Sequence, residues 1–351
     1  ILNAYTEVSG KNSRKIYSLV IFILIFLVGG LRDTTVGTDI QTYLYNYNNE
    51  TVNLKSYMSQ IDLNSFFEGF EGGFQFLNSI LKTFHFNDRL YLIFYSFIFS
   101  LSFVIFYYRY SKNFFISILL YITIGNFALS MTGLRQTMAI IIVLYSFKYV
   151  IKREFLRFLL LMVIAMSFHL SSVIFIPFYF LFGLNLKKKD IALIFCGLML
   201  LLLFHDIVAN HIVPFLTPQR YLRYLNLERT VEPKITLVAI SITFFSAWYW
   251  NIFENISIQE KKIVSYLFIL SSMYSAVNIL ALSNAPLNRL SFYFMPFNNL
   301  LIPYVLYYMK CKNKKFILSI AIIILVLLYF RIAIPRGSLG VADYTFLRGG
   351  K

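Results

Sequence analysis

Charged residues are scarce in this 351-residue sequence, and long stretches carry none. Asp, Glu, Lys and Arg make up 14% of the chain, whereas hydrophobic residues make up 58%. The mean hydropathy is +0.68. A soluble globular protein of this length needs far more polar surface. The scarcity of charge therefore excludes a soluble protein and predicts a polytopic integral membrane protein.

Cysteine and histidine are also rare, with two and four residues. Cys196 lies in an apolar run and Cys311 in a lysine-rich loop, so no structural disulfide is expected. The histidines and cysteines lack metal-ligand spacing, so we expect neither a zinc site nor another cofactor. Linkers rich in proline, glycine and serine are missing too, which favours one membrane domain over residues 1–351.

The apolar runs predict an all-α bundle of about eleven transmembrane helices. The runs lie near residues 16–31, 90–108, 114–130, 134–150, 155–168, 170–184, 191–204, 235–250, 263–280, 290–309 and 316–334. The short pair around His169 is predicted to be tilted, re-entrant or broken. Residues 74–86 are too few and too polar to span, which predicts an interfacial helix. The chain begins at Ile1 rather than Met, and we expect an upstream segment to be missing.

The positive charges alternate between the ends of the spans. One side collects fourteen lysines and four arginines, and is cytoplasmic by the positive-inside rule. The other side has four lysines and ten arginines: Arg32, Arg89, Arg135, Arg220, Arg223, Arg229, Arg289, Arg331, Arg336 and Arg348. Arginine binds phosphate or carboxylate through a fixed fork of donors, so the outer face is predicted to bind an anion. The alternative is that these arginines form structural salt bridges.

Two long extracytoplasmic loops are expected, at about residues 32–89 and 205–234. The first is rich in carboxylates and in Tyr and Phe, and the aromatic rings could stack on sugars. In the second, Arg220 and Arg223 would share one face of a helix. Long loops in compact bundles are usually functional or disordered.

Four polar clusters lie at predicted outer ends of spans, at residues 32–39, 133–136, 167–172 and 284–289. A charged group at such depth is costly unless it is paired or faces a cavity, so each cluster is a functional candidate. Simpler interpretations also exist. The first cluster could cap a helix, His169 could be a packing histidine, and Arg135 could reach lipid phosphates.

Several motifs resemble those of a known family, and they occur in the family's order. GLRDTTVGTDIQTY, FEGGFQFLNSIL, GLRQTMAIIIV with the following MSFHLSSV, and NRLSFYFMPFNNLL resemble successive elements of the EpsG-type branch of Wzy-like polysaccharide polymerases. The resemblance covers most of residues 31–308. The segment after Ile334 matches no element of the family.

The resemblance implies a polymerase of lipid-linked oligosaccharide repeat units for O-antigen, capsule or exopolysaccharide. Such enzymes sit in the bacterial inner membrane and work on its extracytoplasmic face. They move the growing glycan from undecaprenyl pyrophosphate to the non-reducing end of a lipid-linked repeat unit. The implied partners are that lipid-linked oligosaccharide and membrane lipids, with a chain-length regulator and a flippase as further possibilities, and no nucleic acid.

The residues suit this chemistry. Two lipid pyrophosphates need cationic ligands, and the candidates are Arg32, Arg135, Gln136, Arg220, Arg223 and Arg289. Arginine could stabilise the departing pyrophosphate without a metal. The acceptor hydroxyl needs a base, for which His169 is favoured over Asp39 and Glu71 because its ordinary pKa lies near neutrality.

Two alternatives remain open at this point. One is another enzyme that uses lipid-linked sugars, such as an O-antigen ligase or a metal-dependent glycosyltransferase. The other is a flippase or transporter, which would favour polar residues spread through the depth of the spans.

Overall fold

The computed structural model of the protein describes residues 11–60, 72–216, 233–309, 314–328, 339–341 and 344–346. These residues are mainly helical, and they include no strand beyond an isolated antiparallel bridge between Arg32 and Phe346. The all-α prediction is confirmed. The helices are α1 (Lys11–Gly30), α2 (Ile40–Asn49), α3 (Leu54–Gln60), α4 (Gly72–Thr83), α5 (Asp88–Tyr110), α6 (Phe114–Thr123), α7 (Asn126–Thr132), α8 (Leu134–Lys152), α9 (Phe155–Phe168), α10 (Phe178–Leu181), α11 (Lys188–Ile207), α12 (Val213–Leu216), α13 (Pro233–Trp248), α14 (Ile258–Leu280), α15 (Asn288–Ser291), α16 (Met295–Tyr308) and α17 (Lys314–Leu328).

The protein is a multi-pass membrane protein. Five described segments have the length and apolar composition of membrane spans: Ser13–Gly30, Asp88–Tyr110, Leu134–Lys152, Lys188–Ile212 and Ile258–Leu280. Helices α6 and α7 together make a sixth if they count as one span, although they are bent by 53°. Shorter apolar helices occupy Phe155–Phe168, Leu170–Leu181, Pro233–Trp248 and Phe316–Leu327. The count of about eleven spans stays a prediction.

Besides the run divided between α6 and α7, two other regions of predicted apolar runs are interrupted. After α9, the chain forms a 3₁₀ helix over Leu170–Phe175, and Pro177 then starts the four-residue α10. The run at 290–309 is divided between α15 and α16. The predicted interfacial helix at 74–86 is present as α4, and α2 and α3 are further helices in the long segment before it.

The chain divides into two compact units. The first comprises Ile1–Tyr110, Tyr121–Ile176 and Ile323–Lys351, and the second comprises Ser111–Leu120 and Pro177–Ile322.

In the first unit, α1 packs along α5 and α8 packs along α9. The Ser96 hydroxyl of α5 donates to the Phe26 carbonyl at 3.1 Å. A Cβ on Gly29 would lie 2.4 Å from that same hydroxyl oxygen. Small residues allow membrane helices to approach this closely.

An aromatic column fills the core of the first unit. The rings of Tyr47 and Tyr91 lie 4.6 Å apart, and those of Tyr91 and Tyr95 lie 4.9 Å apart. The Tyr95 hydroxyl donates to the Asn78 side chain at 2.8 Å. All three tyrosines are buried, so Tyr47, the one of them that lies in the first long segment, is not exposed for stacking on a sugar. Tyr45 remains exposed.

A buried network of small polar side chains holds the second unit together. The Thr243 hydroxyl on α13 lies 3.1 Å from the Ser271 hydroxyl and 2.9 Å from the Ser275 hydroxyl, both on α14. Ser271 in turn donates to the Asn298 side chain of α16 at 2.7 Å. Interhelical hydrogen bonds of this kind join helices in a medium where lipid is as apolar as the side chains.

Candidate functional site

The first polar cluster forms a tight loop after α1. The Asp33 carboxylate accepts bonds from the Thr35 backbone N–H at 3.0 Å and the Thr35 hydroxyl at 2.9 Å. Gly37 has φ +107, and a Cβ there would lie 2.6 Å from the Met131 carbonyl oxygen. Only glycine fits this turn without strain, since it combines a left-handed conformation with close backbone contact. The turn places the loop against the end of α7.

Arg32 is a buried cation in this loop. Its side chain is 1% exposed, and one guanidinium nitrogen donates to the Gly29 carbonyl. The other two nitrogens, Nε and Nη2, find no hydrogen-bond partner among the residues that the structure describes. Arg89 donates to the backbone carbonyl of Arg32 at 2.8 Å, which fixes the loop from the side of α5. Within the described part of the chain, the titratable neighbours of Arg32 are Arg89 and the Tyr344 phenol, and no carboxylate pairs with it.

The environment of Arg32 leaves its charge in place. Burial lowers the pKa of the guanidinium to about 10; Tyr344 opposes this lowering, and Arg89 adds to it. The group is therefore still cationic at neutral pH. A buried cation with unused donors is a candidate for binding an anion, because an anion would supply the missing charge and acceptors.

A second group of predicted residues meets around Tyr43 of α2. The Arg135 guanidinium lies 5.6 Å from the centre of the Tyr43 ring, and its Nε donates to the phenol oxygen at 3.4 Å. The Asp39 backbone N–H donates to the Thr132 hydroxyl at 3.2 Å. Burial raises the pKa of Tyr43, and the charge of Arg135 opposes that rise. Asp39 and Arg135 therefore lie on neighbouring segments, and their joint role in a site stays a prediction.

Gln136 follows Arg135 on the first turn of α8. Its side chain is buried, whereas Arg135 is half-buried. Thr132, the last residue of α7, precedes Arg135 and Gln136 by three and four positions. Its hydroxyl lies 2.9 Å from the Thr38 hydroxyl. The loop after α1 and the junction between α7 and α8 therefore form one surface.

The start of α4 connects this surface to the His169 region. The Phe74 ring lies 5.6 Å from the Tyr43 ring. A Cβ on Gly73 would lie 2.2 Å from the Ser167 hydroxyl oxygen and 3.2 Å from the Phe168 ring. His169 follows Phe168 directly and is half-buried, and its backbone N–H donates to the Ala165 carbonyl at 3.0 Å.

Three of the four predicted polar clusters therefore lie in the first unit, linked by contacts through α2 and α4. The fourth lies in the second unit, where Arg289 is exposed on α15 and Asn284 is buried. Its convergence with the others stays a prediction. Glu71, Arg220 and Arg223 lie outside the described residues.

The second unit contains a cluster that the sequence analysis did not select. The Ser283 hydroxyl donates to the Asp206 carboxylate and contacts Nδ1 of His205, and Nδ1 lies 3.5 Å from that carboxylate. Because Ser283 gives its proton to Asp206, its oxygen can accept from Nδ1–H of His205. The sequence signals were an adjacent His–Asp pair in the last turn of α11 and a serine just before the 284–289 cluster.

A metal site is not evident in the described ranges, where no three His, Cys, Asp or Glu side chains group closely enough to hold an ion. The metal dependence of the reaction stays a matter for experiment.

The comparison with known families shows which family the chain belongs to. Residues 15–346 match the model of the EpsG family. The chain belongs to the EpsG family. Neither a curated protein nor a solved structure matches it. Membership confirms the resemblance drawn from the motifs and assigns the chain a general role in polysaccharide polymerisation in a membrane. The matched region extends through the loop at Arg32, the Arg135 and His169 regions, and Tyr344 near the end.

Proposed function

We propose that this EpsG-family chain polymerises lipid-linked oligosaccharide repeat units. It transfers the growing glycan from undecaprenyl pyrophosphate to the non-reducing end of a lipid-linked repeat unit. The observation that carries the proposal is Arg32, a buried cation beside the segments of Asp39 and Arg135, with two nitrogens that have no partner among the described residues. A diphosphate supplies the negative charge and the acceptor oxygens that such a group requires.

The proposed reaction forms one bond and breaks another. The acceptor hydroxyl oxygen bonds to the anomeric carbon of the donor glycan, and the bond from that carbon to the pyrophosphate oxygen breaks. The lipid pyrophosphate leaves with the bonding electron pair, and the hydroxyl proton passes to a base. Negative charge grows on the leaving group, so fixed cations stabilise the transition state more than the ground state.

Arg32 and Arg135 are proposed as pyrophosphate ligands in the first unit. Gln136 and Arg289 are proposed as further polar contacts to the lipid-linked substrates, together with Arg220 and Arg223. For the base, His169 is our first choice and Asp39 the second, with Glu71 third. His169 and Asp39 both belong to segments that pack around α2 and α4.

The proposed setting follows from the charge pattern of the sequence. The chain is proposed to cross the inner membrane about eleven times, with the arginine-rich side and its active site facing outward. Undecaprenyl-linked oligosaccharide is then delivered by a flippase, and a chain-length regulator is a further proposed partner.

The decisive experiment supplies purified protein with a lipid-linked repeat unit and separates the products by length. A ladder of longer lipid-linked glycans is expected, and Arg32→Lys should abolish it while leaving expression and folding unchanged. Parallel reactions with EDTA and with added Mg²⁺ test the metal requirement. Transfer of one glycan to a different acceptor would indicate a ligase. Movement of the intact substrate across a vesicle membrane, without any product, would indicate a flippase.

A further inference from the structure

The C-terminal part of the chain lies along the loop that carries Arg32. We call residues 339–341 and 344–346 the C-terminal strap. The backbone N–H of Asp33 donates to the Thr345 carbonyl at 2.9 Å, and that of Thr38 donates to the Leu339 carbonyl at 3.1 Å. Arg32 itself forms the isolated antiparallel bridge with Phe346. The strap therefore contacts both ends of the loop.

The contact at Gly340 is too close for a larger residue. The Gly37 N–H donates to the Gly340 carbonyl at 2.9 Å. Gly340 has φ +64, and a Cβ there would lie 2.8 Å from the Thr38 backbone nitrogen. A glycine on each side lets the two backbones meet directly.

Tyr344 anchors the other end of the strap. Its hydroxyl donates to the Val28 carbonyl, in the last turn of α1, and its ring lies 5.1 Å from the Phe346 ring. Burial raises the pKa of the Tyr344 phenol, and the charges of Arg32 and Arg89 oppose that rise. The phenol is therefore close to both arginines.

These contacts satisfy backbone donors that the loop cannot satisfy by itself. Loop N–H groups at Asp33, Gly37 and Thr38 all donate to strap carbonyls. Without the strap these donors would need water, and the loop would no longer hold the Arg32 guanidinium in one buried position. The long, flexible side chain of Arg32 would then extend its charged end towards water.

We infer that the C-terminal strap is a positioning element of the anion site, and that it holds Arg32 ready to bind the diphosphate of a polyprenyl carrier. This inference rests on the proposed function for the identity of the ligand. The strap acts through Arg32, because the guanidinium supplies the unpartnered donors and the strap supplies the backbone contacts that fix them. Tyr344 and Gly340 are accordingly positioning residues.

The test measures binding of inorganic pyrophosphate to the purified full-length protein, in a double-mutant cycle between Tyr344→Phe and Arg32→Lys. Loss of the Tyr344 hydroxyl should weaken binding roughly two- to tenfold, as expected for one lost hydrogen bond. In the Arg32→Lys background, the same change should have little further effect, because the residue through which it acts is already altered.

The matched control is Tyr47→Phe. The Tyr47 hydroxyl also donates to a backbone carbonyl, that of Phe86 at 2.9 Å, but away from the strap. This variant should bind pyrophosphate as the wild type does. Gly340→Val, which displaces the strap by steric collision, should weaken binding more than Tyr344→Phe does.

Two results would overturn the inference. One is unchanged pyrophosphate binding in Tyr344→Phe and in folded Gly340→Val. The other is a loss in Tyr344→Phe that adds in full to that of Arg32→Lys, as for two independent sites. The proposed function is tested separately, by polymerisation. Pyrophosphate binding could depend on the strap and on Arg32 even if the protein failed to lengthen lipid-linked glycans, and that result would refute the proposed function alone.

Discussion

Replacing Arg32 with methionine should remove function without lowering stability. Most buried residues behave in the opposite way, because their removal leaves cavities or unpaired partners. Arg32 differs because it is a buried charge for which the described part of the chain supplies no carboxylate, and two of its nitrogens have no partner there. Methionine fills a similar volume with an unbranched apolar chain.

The magnitude follows from the charge of Arg32. Its pKa falls from 12.5 to about 10 on folding. At about 1.4 kcal/mol per pKa unit, burial of the charged form costs roughly 3 kcal/mol. Because the folded state lowers the pKa of the guanidinium, the full cost of burying its charge is present below pH 10. That cost is relieved as the pH rises from 10 towards 12.5. Arg32→Met removes this cost at neutral pH.

The substitution also removes one favourable contact. The bond from the guanidinium to the Gly29 carbonyl is worth about 1.5–3 kcal/mol, as is usual when one partner is charged. The net change in the free energy of unfolding is therefore between zero and an increase of about 1.5 kcal/mol. For a buried ion pair the expectation is the reverse, a loss of about 3–5 kcal/mol, because the abandoned partner stays buried.

The assay is thermal unfolding in detergent at pH 7, with and without inorganic pyrophosphate. Without the anion, the Tm of Arg32→Met should equal or slightly exceed that of the wild type. Pyrophosphate should raise the Tm of the wild type, because a ligand that binds only the folded state stabilises it. It should leave the Tm of the variant unchanged.

The control is Arg157→Met, at an exposed arginine that pairs with Glu154 at 2.8 Å. An exposed pair contributes about 0–1 kcal/mol, so this variant should keep both its Tm and its response to pyrophosphate. A drop of several kcal/mol in Arg32→Met would show that Arg32 is structural. An undiminished response to pyrophosphate would show that another part of the protein holds the anion.

Three further predictions concern the neighbouring residues. Arg135→Lys should lose most polymerisation at matched expression, because an ammonium cannot reproduce the fork of the guanidinium; full activity would assign Arg135 a structural role. Gly37→Ala should lower the free energy of unfolding by about 1–3 kcal/mol in thermal melts, since φ +107 strains any side chain; an unchanged Tm would contradict the steric reasoning. His169→Ala should bind pyrophosphate but make no long chains, whereas His205→Ala should make them. If His169→Ala still polymerises and Asp39→Asn binds but is inactive, Asp39 is the base.

The sequence was sufficient for those features that depend on local pattern. Apolar runs of helical length predict helices because an exposed backbone cannot be tolerated in lipid. The amphipathic segment at 74–86 likewise predicts the helix observed as α4. The motifs around Asp39 and Arg135 were expected at the same side of the bundle, and Thr132 and Tyr43 do join them.

Features that depend on distant contacts were beyond the sequence. The strap meets the loop through backbone groups separated by about three hundred residues, and no side-chain pattern records such a pairing. In the sequence, Arg32 and Arg289 are both arginines at the end of a predicted span. In the structure, Arg32 is buried and Arg289 is exposed. Tyr47 reads like a surface tyrosine, but it packs on Tyr91 in the core.

The structure also separates the roles expected of the two arginines in the first unit. Arg135 rests on the Tyr43 ring, a contact worth about 0.5–2 kcal/mol that an incoming anion must either keep or replace. Arg32 has two nitrogens with no partner in the described ranges, so an anion would gain those bonds without displacing a hydrogen bond seen there. The free-energy cost of burying the Arg32 charge is already included in the stability of the unliganded fold. A diphosphate that binds Arg32 would offset this cost with its negative charge. Arg32 should therefore dominate affinity for the diphosphate, and Arg135 should contribute mainly where charge develops as the glycan leaves.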